Sequence, residues 1–173
     1  MSKKLILESR FTNHQKTHII LTIGGLPLIV IIYSIVLGHN STHQLITAIS
    51  TIIYIVLICL AFTKKGLFKK GETLYRGLFF NKKIILCKKF DLTDKSKVSI
   101  LKFRKTQKMA WFSDAKPDLG TNFISLDITL LNNKHTQKEL LISLRKENKS
   151  KRTIEFLNKN FNLKEEIYSP DFR

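Results

Sequence analysis

Two histidine pairs have the spacing of a metal chelate: His14/His18 and His39/His43, each four residues apart. On a helix such positions share one face, and two imidazoles there can hold a zinc ion. No third ligand stands near either pair, so neither a metal nor any cofactor is expected. Cys59 and Cys87 have no Cys or His neighbour at metal spacing. They read as small apolar side chains in a reducing compartment. A nucleophile elbow, a phosphate loop, a His-Glu zinc motif and paired acid/base carboxylates are all absent, as is an aromatic RNA-recognition signature. The expectation is a protein that is not an enzyme.

What remains is cationic and aromatic chemistry. The segment Lys105–Lys116 groups Met109, Ala110, Trp111 and Phe112, flanked by Lys105, Lys108 and Lys116. Apolar tips ringed by lysine suit insertion among lipid headgroups, with tryptophan at the interface. The competing reading folds Trp111 and Phe112 back onto a core. Lysine pairs recur at Lys64/Lys65, Lys69/Lys70, Lys82/Lys83 and Lys88/Lys89. On turns they can meet phosphate oxygens as point charges; otherwise they are solvated charge that sets topology. The candidate membrane-contact residues are therefore Lys64, Lys65, Lys69, Lys70, Lys105, Lys108, Trp111 and Phe112.

The charge is unevenly placed. The 173 residues hold 30 Lys+Arg against 13 Asp+Glu, a net of +17. Lys64–Arg173 carries 26 against 12, and the first 17 residues carry 4 against 1, so nothing is left for the segment between. A basic domain can meet nucleic acid or an anionic membrane, or can simply be soluble and topology-setting. Beside an anionic leaflet each Lys or Arg is worth about 1 kcal/mol. Lipid is the expected partner, with an unidentified protein beside it, and nucleic acid is not expected.

The uncharged segment is a pair of apolar runs, Ile19–Leu37 and Leu45–Phe62, seven residues apart. At ~1.5 Å per residue, a 19-residue helix covers about 28 Å, close to the ~30 Å hydrocarbon core. The linker 38–44 has no Lys or Arg, whereas both flanks do (Lys3, Lys4, Arg10 and Lys16; Lys64, Lys65, Lys69 and Lys70). The positive-inside rule then puts both termini in the cytoplasm of a multi-pass protein of a bacterial inner membrane. A cleaved signal peptide is the rival reading, but no small-x-small site follows Leu37. Gly24-Gly25-Leu26-Pro27 reads as a tolerated kink or as a close-packing point between helices. No ionisable Lys, Arg, Asp or Glu sits in either run, which argues against transport or an ion pathway.

Past Thr63 the period becomes that of strands. Runs at Leu67–Phe68, Thr73–Phe80, Ile84–Phe90, Lys97–Arg104, Asn122–Leu131 and Glu139–Leu144 are split by polar turns, and Thr106–Thr121 reads as a long loop. Ile154, Leu157 and Phe161 then form a helical stripe, with Asn148 or Ser150 as N-cap. The chain divides into a basic N-terminal segment (1–17), a hairpin (18–63), a β domain with its helix (64–164) and a tail (165–173). Gly66-Leu67-Phe68, the run Thr73–Phe80 with its Tyr75-Arg76-Gly77 segment, and Lys151–Phe161 carry a resemblance to bacterial membrane-anchored pleckstrin-homology-like (PH-like) proteins. The resemblance covers 64–161. It implies an α+β fold: a two-helix transmembrane hairpin, then a PH-like antiparallel β-barrel or sheet of six to seven strands closed by a C-terminal helix. It also implies lipid or protein binding at a membrane.

Three functions stay open at this level. One is a cytoplasmic PH-like domain that binds a protein or the anionic leaflet. Another is a membrane immunity protein that neutralises a toxin, and the third a small subunit of an oligomeric channel or membrane complex.

Overall fold

A computed structural model describes residues 3–36, 40–107 and 121–171. The chain begins with a strand that the sequence reading did not expect, β1 (Lys4–Ser9). The helical pair follows as α1 (Asn13–Thr17), a π-helical segment (His18–Ile23), α2 (Gly25–Val36) and α3 (Ser41–Ala61). Then come β2 (Lys64–Lys70), β3 (Thr73–Phe80), β4 (Lys83–Phe90), β5 (Lys97–Gln107), β6 (Thr121–Leu131), β7 (Lys138–Leu144), α4 (Glu147–Phe161) and a two-residue β8 (Lys164–Glu165). Residues 108–112 and 116, with most of the expected long loop, lie outside the described residues.

The protein is α+β, with two apolar helices and two four-stranded sheets, ordered β1-β2-β3-β4 and β7-β6-β5-β8. Among the described residues no strand pairing joins the sheets into a closed barrel, so the barrel form of the expectation is corrected to two open sheets. The physical reason lies at the strand edges: β4 and β5 are joined by a polar turn without pairing, and β5 instead meets the parallel β8 at Lys97 and Val98. β5 and β6 pair antiparallel along their whole length, from Lys97↔Leu131 to Gln107↔Thr121.

By contact, the chain falls into two compact units. One comprises Met1–Glu8, Gly66–Gly77 and Cys87–Arg173. Its core draws Leu7 from β1, Leu67 from β2, Leu74 from β3 and Phe90 from β4 onto Val98, Ile128, Leu130, Leu141, Ile142 and Leu144 of the other sheet. Ile154, Leu157 and Leu163 close it, with Phe156 and Phe161 at its margin, which is where the helical stripe was expected to pack. Arg76 links the sheets: its Nη1 donates to the Leu141 carbonyl at 3.0 Å, and its guanidinium lies over Phe90.

Helix α4 starts two residues before the Asn148 cap that was expected and four before the Ser150 one. Its N-cap is Lys146, which makes no side-chain cap, and Ser150 is buried inside the helix. Two amides at the entry to the helix are met from far away in sequence. The Glu8 carboxylate accepts from the backbone N–H of Arg145 at 3.0 Å and of Lys146 at 2.9 Å. A carboxylate here also suits the positive end of the helix dipole.

The other unit comprises Ser9–Lys65 and Leu78–Leu86. Helices spanning Asn13–Val36 and Ser41–Ala61 are long and apolar enough to cross a membrane. α2 packs along α3, and most of their large apolar side chains point outward, Leu26 and Val36 at 72% and 76% exposure. Such a surface is untenable in water and suits a bilayer. Ser34 and Ser50 are buried, as small residues are where such helices meet. Thr47 and Thr51 donate their hydroxyls to the carbonyls four residues back, so neither is left unsatisfied in an apolar phase.

Candidate functional site

Phe80-Asn81-Lys82-Lys83 makes a two-residue hairpin, with Asn81 at φ 43° and Lys82 at φ 66°. Both central residues are left-handed, the geometry that matches strand twist in a tight β-hairpin. It sends β4 back along β3 as the edge strand of its sheet. Residues 83–89 of β4 are exposed throughout, so both faces of the strand are open. Ile84, Ile85 and Leu86 therefore present three consecutive apolar side chains, at 36%, 48% and 60% exposure. Lys82 and Lys83 precede them at the tip and are also exposed.

An apolar edge strand of this kind is an aggregation liability in water, normally blunted by charge or cover. Here the exposed segment belongs to the unit that holds the two apolar helices. That unit has a second basic and aromatic group where the helical pair begins and ends. The Lys16 ammonium lies 5.4 Å from the centre of the Phe62 ring, and the Arg10 guanidinium 5.1 Å from that of Phe11. The Arg10 N–H donates to the Thr63 carbonyl at 3.0 Å, so the two flanks of the pair are bonded to each other. Aromatic rings with Lys and Arg are what the headgroup level of a bilayer holds. This arrangement can bury apolar side chains in lipid while its cations meet phosphate.

The sequence-nominated residues are dispersed. Lys64 and Lys65 lie in the helical unit, Lys64 exposed and Lys65 half-buried. Lys69 and Lys70 lie in the β unit. Lys70 is exposed, but the Lys69 ammonium is engaged: it donates to the Asn160 carbonyl and to Glu72 Oε2, each at 2.9 Å, and sits over Phe161. A cation at the last turn of α4 stabilises the negative end of that helix. Lys105 pairs with Asp127 at 3.1 Å. Lys108, Trp111 and Phe112 lie outside the described residues, with Met109, Ala110 and Lys116.

Asp127 is itself almost buried and accepts from Ser125 at 2.6 Å. Burial pushes its carboxyl upward, yet the hydrogen bonds from Ser125, Ser143 and Lys105 outweigh burial and hold it below the ordinary value. Around Lys105, Phe103 and Ile124 are exposed beside Lys102 and Arg104, and line a concavity of about 470 Å³.

Of the two histidine pairs, His39/His43 includes a residue outside the described ones. His14 and His18 meet edge to face at 4.5 Å, and His18 Nδ1 shares a hydrogen bond with the Thr22 hydroxyl at 3.2 Å. Among the described residues no group of three His, Cys, Asp or Glu could hold an ion. Cys59 and Cys87 are free thiols. The apolar edge of β4 was the site that sequence reasoning missed. Its signal was the run Ile84-Ile85-Leu86 between two lysine pairs. Compared with known families, curated proteins and solved structures, the chain matches none.

Proposed function

We propose that the chain is an integral protein of a bacterial cytoplasmic membrane, without enzymatic activity, whose PH-like β domain works at the anionic cytoplasmic leaflet. Both termini are cytoplasmic in this reading, the two apolar helices span, and the β3–β4 tip rests among headgroups. The observation that carries it is the exposed Ile84-Ile85-Leu86 edge, led by Lys82 and Lys83, in the same compact unit as the apolar helices. Support for the topology comes from the uncharged linker and from the Arg10–Thr63 bond, which keeps the two flanks of the helical pair together. The four-stranded β1–β4 sheet, the three long strands β5–β7 and the terminal α4 are in keeping with a PH-like order. Fold alone does not assign the role; the exposed cationic and apolar edge is what supports this reading.

The test is a depth measurement on the full chain. A spin label is placed at Ile85→Cys in a Cys59→Ala/Cys87→Ser background, and the protein is reconstituted in nanodiscs containing phosphatidylglycerol. The label is expected to be shielded from an aqueous relaxant and accessible to oxygen, and Lys82→Glu/Lys83→Glu should raise it toward water. A label as water-accessible as one at Lys134 would overturn the reading.

A further inference from the structure

The far end of β5 stands clear of the core. Residues 102–106 are all exposed, so both faces of the strand are open there. On β6, Ile124 pairs with Arg104 and Asn122 with Thr106. Asn122 and Ile124 are exposed too, with Phe123 half-buried between them. Side chains alternate between the faces of a strand, and directly paired residues share a face. Ile124 therefore lies with Lys102 and Arg104 on one face of this ribbon, and Phe103 lies on the other. Ile124 is 60% exposed and Phe103 45%.

The cations of this end are uncommitted. Lys102 and Arg104 line the concavity of about 470 Å³ together with Phe103, Asn122, Phe123 and Ile124, and no acidic side chain is in that lining. Neither cation forms an ion pair among the described residues. Lys102 also borders the glutamate-bearing cleft beneath α4, so Arg104 carries the larger share of the free charge. The Arg145 guanidinium lies over Phe123, 4.7 Å from its ring centre, and adds a third cation.

A partner for this end must accept apolar side chains and supply negative charge on the same side. It must also cover both faces of a projecting ribbon, whereas a single docked protein surface meets only one. A second copy of the chain would bring Lys102 and Arg104 against their own kind. The headgroup layer of an anionic leaflet meets all three requirements: it surrounds what enters it, takes up apolar side chains and sets phosphates beside cations. In the membrane reading, the two helices of spanning length hold the β unit at such a surface, where the effective concentration of lipid is high. We propose that the end of the β5–β6 ribbon, around Phe103, Arg104 and Ile124, is a second lipid contact that seats the β unit on anionic phospholipid. This rests on the membrane reading given above and extends it from the β3–β4 tip to the other compact unit.

The experiment uses the full chain in nanodiscs, with a spin label at Ile124→Cys in the Cys59→Ala/Cys87→Ser background and the Ile85 label as its companion. In phosphatidylglycerol the Ile124 label is expected to be accessible to oxygen and shielded from an aqueous relaxant; in phosphatidylcholine it should move toward water. Lys102→Gln/Arg104→Gln should lower the ratio of lipid-seated to free label by up to about thirtyfold, at about fivefold for each cation lost. The Ile85 label should keep its depth in that variant. An Ile124 label in phosphatidylglycerol as water-accessible as one at Lys134 would overturn the proposal. With Ile85 still shielded, the β3–β4 reading stands and this one alone falls; with both labels in water, both fall. Shielding from oxygen and relaxant alike would mean protein cover in place of lipid, and would overturn it too. So would equal depth in the two lipids, or no change in the Gln variant.

Discussion

The carboxylate of Glu8 accepts a hydrogen bond from the backbone N–H of Lys146, 2.9 Å away and 138 residues later in the chain. A second bond runs from the Arg145 N–H. A residue of β1, ahead of the apolar helices, thus bonds the backbone at the entry to α4. β1 and β2 are neighbours in one sheet, so the chain leaves that sheet and returns to it through adjacent strands. The helical pair is in effect an insertion into a β domain, and the segment before it is part of the fold.

Removal of this cap should be felt at α4. Glu8→Ala leaves two backbone donors at the helix start without their acceptor and should cost about 1–2 kcal/mol. Glu8→Gln keeps one acceptor oxygen and should cost less. Urea denaturation of the detergent-solubilised chain gives the difference, and exchange at the Arg145 and Lys146 amides locates it. Equal stability of Glu8→Ala and wild type would show that water replaces the carboxylate fully.

Asp127 should shape the acid limb of stability. Its folded carboxyl is held below the ordinary aspartate value of 3.8, against burial, by Ser125, Ser143 and Lys105. A depressed pKa contributes stability that is fully present above 3.8 and is lost as pH falls through the lower folded value. Wild type should therefore lose its advantage over Asp127→Asn below that point. Lys105→Met should narrow the gap only partly, because the lysine is 44% exposed and its charge is screened. Acid titration of the far-UV circular dichroism of the three proteins checks this order.

Parts of this fold are legible in the sequence because their signals are local. The apolar helical runs, the alternation in β5 and the polar turn at Asn81 all announce their elements within a few residues. β1 does not, since Leu5-Ile6-Leu7 is too short a run to stand out and its partner β2 lies beyond the helical pair. The cap of α4 is hidden for the same reason: nothing near Lys146 points to residue 8. Ile84-Ile85-Leu86 misleads differently. A continuous apolar run reads as a strand covered on both faces, whereas both faces of β4 are open. Burial is a property of the assembled sheet, and only strand order reveals β4 as an edge.

The tail after β8 depends on His135. Its Nδ1 accepts from the Ser169 N–H at 3.1 Å, and the Asp171 N–H donates to the Lys134 carbonyl at 3.0 Å. His135 is almost buried, stacks on Tyr168 and faces Glu166 at 3.2 Å. His135→Ala should free residues 167–171 and leave the core intact. Amide exchange at Ser169 and Asp171 should accelerate at least tenfold while that of β6 stays unchanged.

Lys82 sits at φ 66°, a conformation that costs a residue with a Cβ about 1 kcal/mol. Lys82→Gly should therefore stabilise the β3–β4 hairpin by up to about 1 kcal/mol while removing one cation from its tip. Stability and membrane depth should move in opposite directions in this variant. The Ile85 spin label reads the depth and urea denaturation the stability; a variant that is both less stable and deeper would contradict the turn geometry and the lipid assignment together.

The two adjacent glycines of the first apolar helix should respond oppositely to alanine. The Gly24 N–H bonds the Ile19 carbonyl at 2.9 Å, a five-residue step that ends the π-helical segment just ahead of Pro27. A Cβ on Gly24 would collide with the Ile20 carbonyl oxygen and stand 2.8 Å from the Tyr54 ring on α3. The ring can shift, but the backbone oxygen cannot without unwinding the π-helical turn. At Gly25 the added carbon meets nothing within 4 Å. Of the two readings of Gly24-Gly25-Leu26-Pro27, the close-packing one thus applies to Gly24 alone. Gly24→Ala should loosen the contact between the two helices and lower the unfolding temperature in detergent by several degrees. Gly25→Ala should match wild type or exceed it slightly, since alanine is the better helix former. A paired disulfide-crosslinking assay between cysteines introduced on α2 and α3 separates the outcomes: efficiency should fall for Gly24→Ala and hold for Gly25→Ala, and equal efficiency in both would place the helix contact away from Tyr54.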